Sequence, residues 1–244
     1  GSSLVTKLLE NWQVIAGIRV GCNYSNSDLE VFRYPNIDIN TDWNPMIEKV
    51  KVVVHTAARA HIIKDNAADP LKEFRNVNVE GALNLGRQAA KAGVKRFIFI
   101  SSIGVNGNIN SKPFTEQDSP DPSETYAVTK WEAEAGLLNI AKETSMEVVI
   151  IRPPLVYGAN APGNFRRLVT SVNKGIPLPL GSIHNKRTLV ALDNLVDLIN
   201  TCIDHPAAAD QVFLAGDDED VSTTLLLQKV GLALGKPARL INVP

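Results

Sequence analysis

Phe97-Ile-Phe-Ile-Ser-Ser-Ile-Gly-Val-Asn-Gly107 reads as a buried strand that ends in hydroxyls and then in glycines. Four consecutive apolar residues clothe both faces of a strand, as a parallel sheet covered by helices on each side requires. The same texture recurs at Lys51 to Thr56 and Glu147 to Arg152, and further strand candidates lie at Gln13 to Val20, Thr188 to Leu192 and Gln211 to Ala215. Amphipathic stretches separate them at Ser3 to Glu10, Pro70 to Ala92, Ser123 to Lys142, Asn164 to Lys174, Asp193 to Asp204 and Thr223 to Leu234. Asp69-Pro70 and Gly93 bracket the longest of these with an N-cap, a first-turn proline and a terminating glycine. Alternation of this kind predicts an α/β fold with a doubly wound, Rossmann-like parallel sheet.

The texture changes after Arg152, where Pro153, Pro154, Pro162, Pro177 and Pro179 crowd into a short stretch. We therefore expect residues 1–153 to form a dinucleotide-binding domain and 154–244 a smaller C-terminal substrate lobe, with about 188–204 returning toward the sheet. Twenty-five basic against 26 acidic residues leave a formal charge of -1. No overall field then draws the chain to nucleic acid or to an anionic membrane. No apolar run reaches the roughly 18 to 20 residues that span a bilayer, so a cytoplasmic protein is expected. The two cysteines, Cys22 and Cys202, read as buried free thiols in a reducing compartment.

Tyr126-Ala-Val-Thr-Lys130 places a phenol and an ammonium four residues apart, on one face of a helix start. A phenol titrates near pH 10 and carries protons poorly at neutrality unless a cation stabilises its anion; Lys130 is placed to be that cation. Taken alone, so short a match reads more readily as an ordinary solvated i,i+4 contact. Its context argues otherwise, because Ser102 lies at the carboxyl edge of the Phe97 strand, where open α/β sheets bind their ligands. Ser102, Tyr126 and Lys130 are thus the candidate catalytic residues. His55 and His61 lack the Cys or carboxylate company of a metal site, and no metal is expected.

With these motifs on the page, the sequence resembles the extended short-chain dehydrogenase/reductase superfamily, which contains UDP-sugar epimerases, dehydratases and keto-sugar reductases. The resemblance covers essentially the whole chain. It rests on Ser102, five residues before Gly107, on Tyr126 and Lys130, on His55-Thr-Ala-Ala-Arg-Ala-His61, on Asn78-Val-Glu-Gly81 and on Arg152-Pro-Pro-Leu-Val-Tyr-Gly158. It implies cofactor contacts at Asp38, Ile39, Thr56, Ala57, Ala58, Asn78, Lys130, Pro153 and Val156. It implies substrate contacts at His61, Ser102, Ile103, Tyr126 and Asn164, and a diphosphate partner in Lys186 or Arg187. A homodimer, paired through the helices at 70–92 and 123–142, is implied as well.

Dinucleotide folds carry a glycine-rich turn after the first strand. Here Gly1 suits the last glycine of such a turn, and the first strand itself is missing from the sequence. The natural protein is therefore expected to be longer at this end, and the close at Val243-Pro244 looks incomplete too. The next strand ends at Arg19 with no carboxylate, which favours NADP(H) over NAD(H), since arginine neutralises a 2′-phosphate; stacking of Arg19 on the adenine of NAD is the alternative.

The resemblance implies hydride exchange at a sugar carbon, with Tyr126 moving the proton and Lys130 on the nicotinamide ribose. In 4,6-dehydratases of the family an Asp-Glu pair follows the Ser or Thr, whereas here the residues are Ile103-Gly104, so dehydration is not expected. Asn185-Lys-Arg-Thr-Leu-Val-Ala-Leu-Asp-Asn-Leu195 resembles bacterial surface-polysaccharide enzymes acting on UDP-4-keto-6-deoxy-N-acetylhexosamines. That favours 4-keto reduction of a UDP-hexose over the runner-up, UDP-glucose or UDP-N-acetylglucosamine 4-epimerisation with tightly bound NAD. A non-catalytic NAD(P)-binding protein is disfavoured by the intact Ser, Tyr and Lys.

Overall fold

The computed structural model describes residues 1–243 except 23, 25, 28, 61–66 and 160–162. The chain divides into two compact units, residues 1–152 with 196–214, and residues 153–195 with 215–244. Among the described residues no helix is long and apolar enough to cross a membrane.

In the first unit, β1 (Ile15–Arg19) pairs in parallel with β2 (Glu30–Tyr34). A second parallel sheet runs β3 (Val52–His55), β4 (Arg96–Ile100), β5 (Glu147–Arg152) and β8 (Val212–Leu214) in that order. No ladder joins β1 to β3 among the described residues. Around these strands lie α1 (Ser2–Leu8), α2 (Asn44–Ile47), α3 (Pro70–Arg75), α4 (Ala82–Lys91) and α5 (Thr125–Glu143). The parallel-sheet, Rossmann-like α/β class expected from the apolar runs is the one observed. Tyr34, Trp43, Phe97, Phe99, Leu137 and Ile150 lie in one buried cluster between sheet and helices. Burying side chains of this size stabilises by roughly 1.5 to 3 kcal/mol each.

The stretch expected as one long helix from Pro70 to Ala92 is interrupted. Asp69 caps it by accepting from the Lys72 N–H at 3.1 Å, but residues Asn76–Gly81 form a π-helical segment between α3 and α4. The cause is a buried polar side chain, Asn78, whose hydrogen bonds pull this turn toward the loop after β3. Termination is as expected: Gly93 takes φ +80, and the Val94 N–H returns to the Ala89 carbonyl at 3.0 Å. Arg96, 3% exposed, ties the start of β4 to the end of α7 (Leu192–Cys202) through the carbonyls of Cys202 and His205 and pairs with Glu147.

The second unit holds β6 (Leu155–Tyr157), parallel to β7 (Arg187–Ala191), which pairs antiparallel with β9 (Asp220–Val221). With α6 (Gly163–Asn173) and α8 (Thr223–Ala233) it buries Val172, Leu189, Leu227 and Val230. The Asp217 carboxylate accepts from Tyr157 Oη, the Ala191 N–H and Asn194 Nδ2, gathering β6 and the first turn of α7 onto one side chain. The return to the first unit begins inside α7 rather than at 188, because β7 finds its partners in β6 and β9.

One further expectation needs correction, and several short elements were not foreseen. Cys22 is exposed, since it follows the Gly21 turn at the end of β1; only Cys202 is buried. The strand at β2 is harder to read because Glu30 and Arg33 interrupt its apolar residues, and β6 and β9 are three and two residues long. Helix α2, four residues long, is too short for a helical period to register.

Candidate active site

At the carboxyl edge of β4 the chain leaves the sheet through Ser101 and Ser102 into a single 3-10 turn, residues 103–105. Ser102 Oγ accepts from the Gly104 N–H at 3.1 Å, capping that turn. A Cβ on Gly104 would stand 3.2 Å from Ala127 Cβ, so the bare glycine allows the turn to lie against the residue next to Tyr126. The strand-exit motif and the first turn of α5 are thereby brought together. The same approach leaves little room for an acidic side chain at 104.

Lys130, one turn further along α5, is 1% exposed. Its Nζ sits 3.7 Å from the centroid of the Phe99 ring, a cation–π contact worth about 2 kcal/mol when desolvated. His55, at the end of β3, stacks on the same ring at 5.8 Å and 10°. Burial lowers the Lys130 ammonium to about 7, opposed by the Glu134 carboxylate. Burial, aided by the Lys130 charge, holds the His55 imidazole down to about 3, so that it is neutral at physiological pH. Burial also pushes the Tyr126 phenol above its usual value. Among the described residues, Tyr126 Oη and Lys130 Nζ make no hydrogen bond or ion pair, and Ser102 Oγ donates none. Three proton-bearing groups at one sheet edge are thus unspent.

The expected cofactor residues divide by location. Thr56 is exposed and Ala57 and Ala58 half-buried at the carboxyl end of β3. Gly1, the residue before α1, lies beside them, since a Cβ there would come 3.9 Å from Thr56 Oγ1. Asn78 is committed within the protein: its Oδ1 accepts from the Arg59 N–H at 2.8 Å, and its Nδ2 donates to the Arg59 carbonyl and to Thr129 Oγ1. Thr129 in turn donates to the Tyr126 carbonyl. Asp38 Oδ1 accepts from the Asn40 N–H and Thr41 Oγ1 in a turn after β2, with Ile39 exposed beside it. Arg19 is exposed at the end of β1, opposite Tyr34.

Pro153 and Val156 belong to the second unit, Pro153 buried and Val156 in β6 opposite Val190. Lys186 and Arg187 are exposed there at the start of β7, on a loop that Asn185 holds by accepting from the Thr223 N–H. Asn164 falls in the first turn of α6. Ile103 opens the 3-10 turn, and His61 lies outside the described residues. Reading by motif passed over Glu134 and the buried Ser101 hydroxyl, which has no hydrogen-bond partner among the described residues. The signal for Glu134 was present: it stands four residues after Lys130 on the face that carries Tyr126.

An ammonium with unspent donors, a free phenol and small residues at the strand ends suit a flat cofactor bearing ribose hydroxyls. A family model described as the NAD dependent epimerase/dehydratase family matches residues 1–216. Over 247 aligned residues the chain is 47% identical to a UDP-glucose 4-epimerase of Vibrio cholerae, spanning 100% of this chain and 75% of that relative. Among solved structures it is similar to MoeE5 in complex with UDP-glucose and NAD, with TM-score 0.84, 22% identity, and coverage of 100% of this chain and 81% of that one. It is likewise similar to a UDP-glucose 4-epimerase from Thermotoga maritima with UDP-glucose, with TM-score 0.81, 22% identity, and coverage of 100% and 82%. At these identities the two structures speak to the fold.

Proposed function

The chain belongs to the NAD-dependent epimerase/dehydratase family, and from that premise we propose that it inverts C4 of a UDP-hexose, interconverting UDP-glucose and UDP-galactose, with NAD held through the cycle. The observation that carries this reading is the set of unspent donors, Ser102, Tyr126 and Lys130, at one edge of the sheet. The relative that is 47% identical, a UDP-glucose 4-epimerase, favours epimerisation over the 4-keto reduction expected from the Asn185 to Leu195 stretch. NAD supplies the hydride acceptor and donor when bound. Tyr126 takes and returns the proton of the C4 oxygen, and the Ser102 hydroxyl donates to the same oxygen. Lys130 holds ribose hydroxyls and keeps positive charge beside the phenol. Asn78 acts from behind, fixing the Arg59 loop and, through Thr129, the first turn of α5. Lys186 and Arg187, exposed at the start of β7 and making no side-chain hydrogen bond or ion pair among the described residues, are proposed as partners for a diphosphate.

One observation favours a second reading. Arg19 presents an exposed guanidinium at the end of β1, which suits the 2′-phosphate of NADP(H) and hence a reductase. The bound nucleotide decides between the two. The epimerase should purify with NAD and interconvert UDP-glucose and UDP-galactose with no added cofactor. Protein that purifies empty, and that consumes NADPH mole for mole with a UDP-4-keto sugar, overturns the epimerase reading.

A further inference from the structure

The loop that runs from Ser102 to Tyr126 is anchored to its own first turn. Asn106 follows the 3-10 turn that Ser102 caps, and its Nδ2 donates to the Thr115 carbonyl at 3.0 Å. The Asp121 N–H returns to the Val105 carbonyl at 3.0 Å. Asn106 Oδ1 accepts from Arg152 Nη1 at 2.9 Å. Arg152, at the end of β5, grips Glu134 of α5 with the rest of its guanidinium, Nη2 to Oε2 at 2.6 Å and Nε to Oε1 at 3.0 Å. Asn106, Glu134 and Arg152 are each no more than 5% exposed. One buried guanidinium therefore ties the turn of Ser102 to the helix that carries Tyr126.

Stability alone does not account for this arrangement, since a buried ion pair adds little over well-packed apolar residues of the same volume. What an apolar pair cannot do is fix an angle. A guanidinium is planar and presents its donors as a rigid fork, so partners on two of its edges are held at a set separation and orientation. Here those partners belong to the two segments whose Ser102 and Tyr126 hydroxyls are to meet on one substrate oxygen. Among the described residues, no member of the network bonds to either hydroxyl. We infer that Arg152 is a positioning residue which, through Glu134 on one side and Asn106 on the other, sets the spacing between the Ser102 and Tyr126 hydroxyls. The inference rests on the roles proposed above for those two groups. Cutting the clamp leaves both hydroxyls present, but a misplacement of about 1 Å costs on the order of a hundredfold in rate.

Two variants of the full-length protein cut the clamp without leaving a buried charge unpaired: Asn106→Ala, and the apolar pair Arg152→Met/Glu134→Leu. In each, nucleotide affinity by calorimetry and KM for the UDP-sugar should stay within about twofold of the parent, while kcat falls by at least about tenfold. Combining them should cost little more than either alone, because both cut one link. Amide hydrogen exchange at residues 103–106 should quicken by at least about tenfold, with the amides of β4 unchanged, whereas a pair that serves only global stability would move both sets together. Parent kcat in a folded Asn106→Ala variant, rate losses that multiply on combination, or unchanged exchange at 103–106 overturns the proposal. Should the apolar pair fail to fold, Asn106→Ala decides alone. Exchange is read without any sugar, so a parent that shows no epimerase turnover refutes the proposed reaction and leaves the clamp to be judged by exchange.

Discussion

The Lys130 ammonium lies 3.7 Å from the centroid of the Phe99 ring, on which His55 also stacks. A strand residue chosen for its apolar bulk thus serves as the floor beneath a buried cation. The consequence is a charge held where charge is expensive, with an aromatic face as its compensation.

Removing that charge should stabilise the fold. The Lys130 ammonium is lowered from 10.5 to about 7 on folding, so between pH 7 and 10.5 the unfolded chain binds more protons than the native one, and parent stability rises with pH across that window. Lys130→Met has no such term. It should melt above the parent at pH 6, with the gap narrowing as pH rises from 7 toward 10. A variant that melts below the parent at every pH refutes a desolvated ammonium.

The same variant tests function. Lys130→Met should lose both nucleotide affinity and turnover, since this side chain is proposed to hold the ribose and to face the phenol. Unimpaired nucleotide affinity, read by calorimetry, would remove Lys130 from the cofactor site.

Tyr126→Phe deletes one oxygen that makes no hydrogen bond among the described residues. Turnover should fall by at least about a hundredfold with nucleotide binding nearly intact, because only proton transfer is lost. An equal loss of binding would make the tyrosine structural.

Asn78→Ala strips a 1% exposed amide from the Arg59 backbone and from Thr129. Leaving such groups unpaired costs about 2 kcal/mol, equivalent in a chain of this size to a fall of roughly 4 to 8 °C in Tm. Turnover should drop as well, through the Thr129 contact to the Tyr126 carbonyl. Unchanged melting would show that water replaces the amide without loss.

Self-association is expected through the helices at 70–91 and 125–143. Trp131 on α5 is 41% exposed, next to the Glu132 that pairs with Arg75 of α3. Sedimentation at micromolar concentration should give a dimer that Trp131→Glu converts to monomer. A parent that sediments only as monomer ends this expectation.

The sequence by itself determined the fold class and marked the candidate reacting groups, because both are written locally. A parallel strand buried on both faces must be apolar throughout, which marked Phe97 to Ile100 and Glu147 to Arg152, and a helical turn sets Tyr126 and Lys130 on one face whatever else surrounds them. What only the tertiary structure decided are relations between segments far apart in the chain. The π-helical turn at Asn78 arises from hydrogen bonds to Arg59 and Thr129, 19 and 51 residues away, and no local period announces it. The pairing of β7 with β6 and β9, rather than with the larger sheet, depends on partners so short that neither stands out alone. The protonation of Lys130 was equally out of reach, because it depends on how deeply Phe99 and His55 bury it. Burial and long-range pairing are properties of the packed chain, and they turn a legible Tyr-x-x-x-Lys into a tuned site.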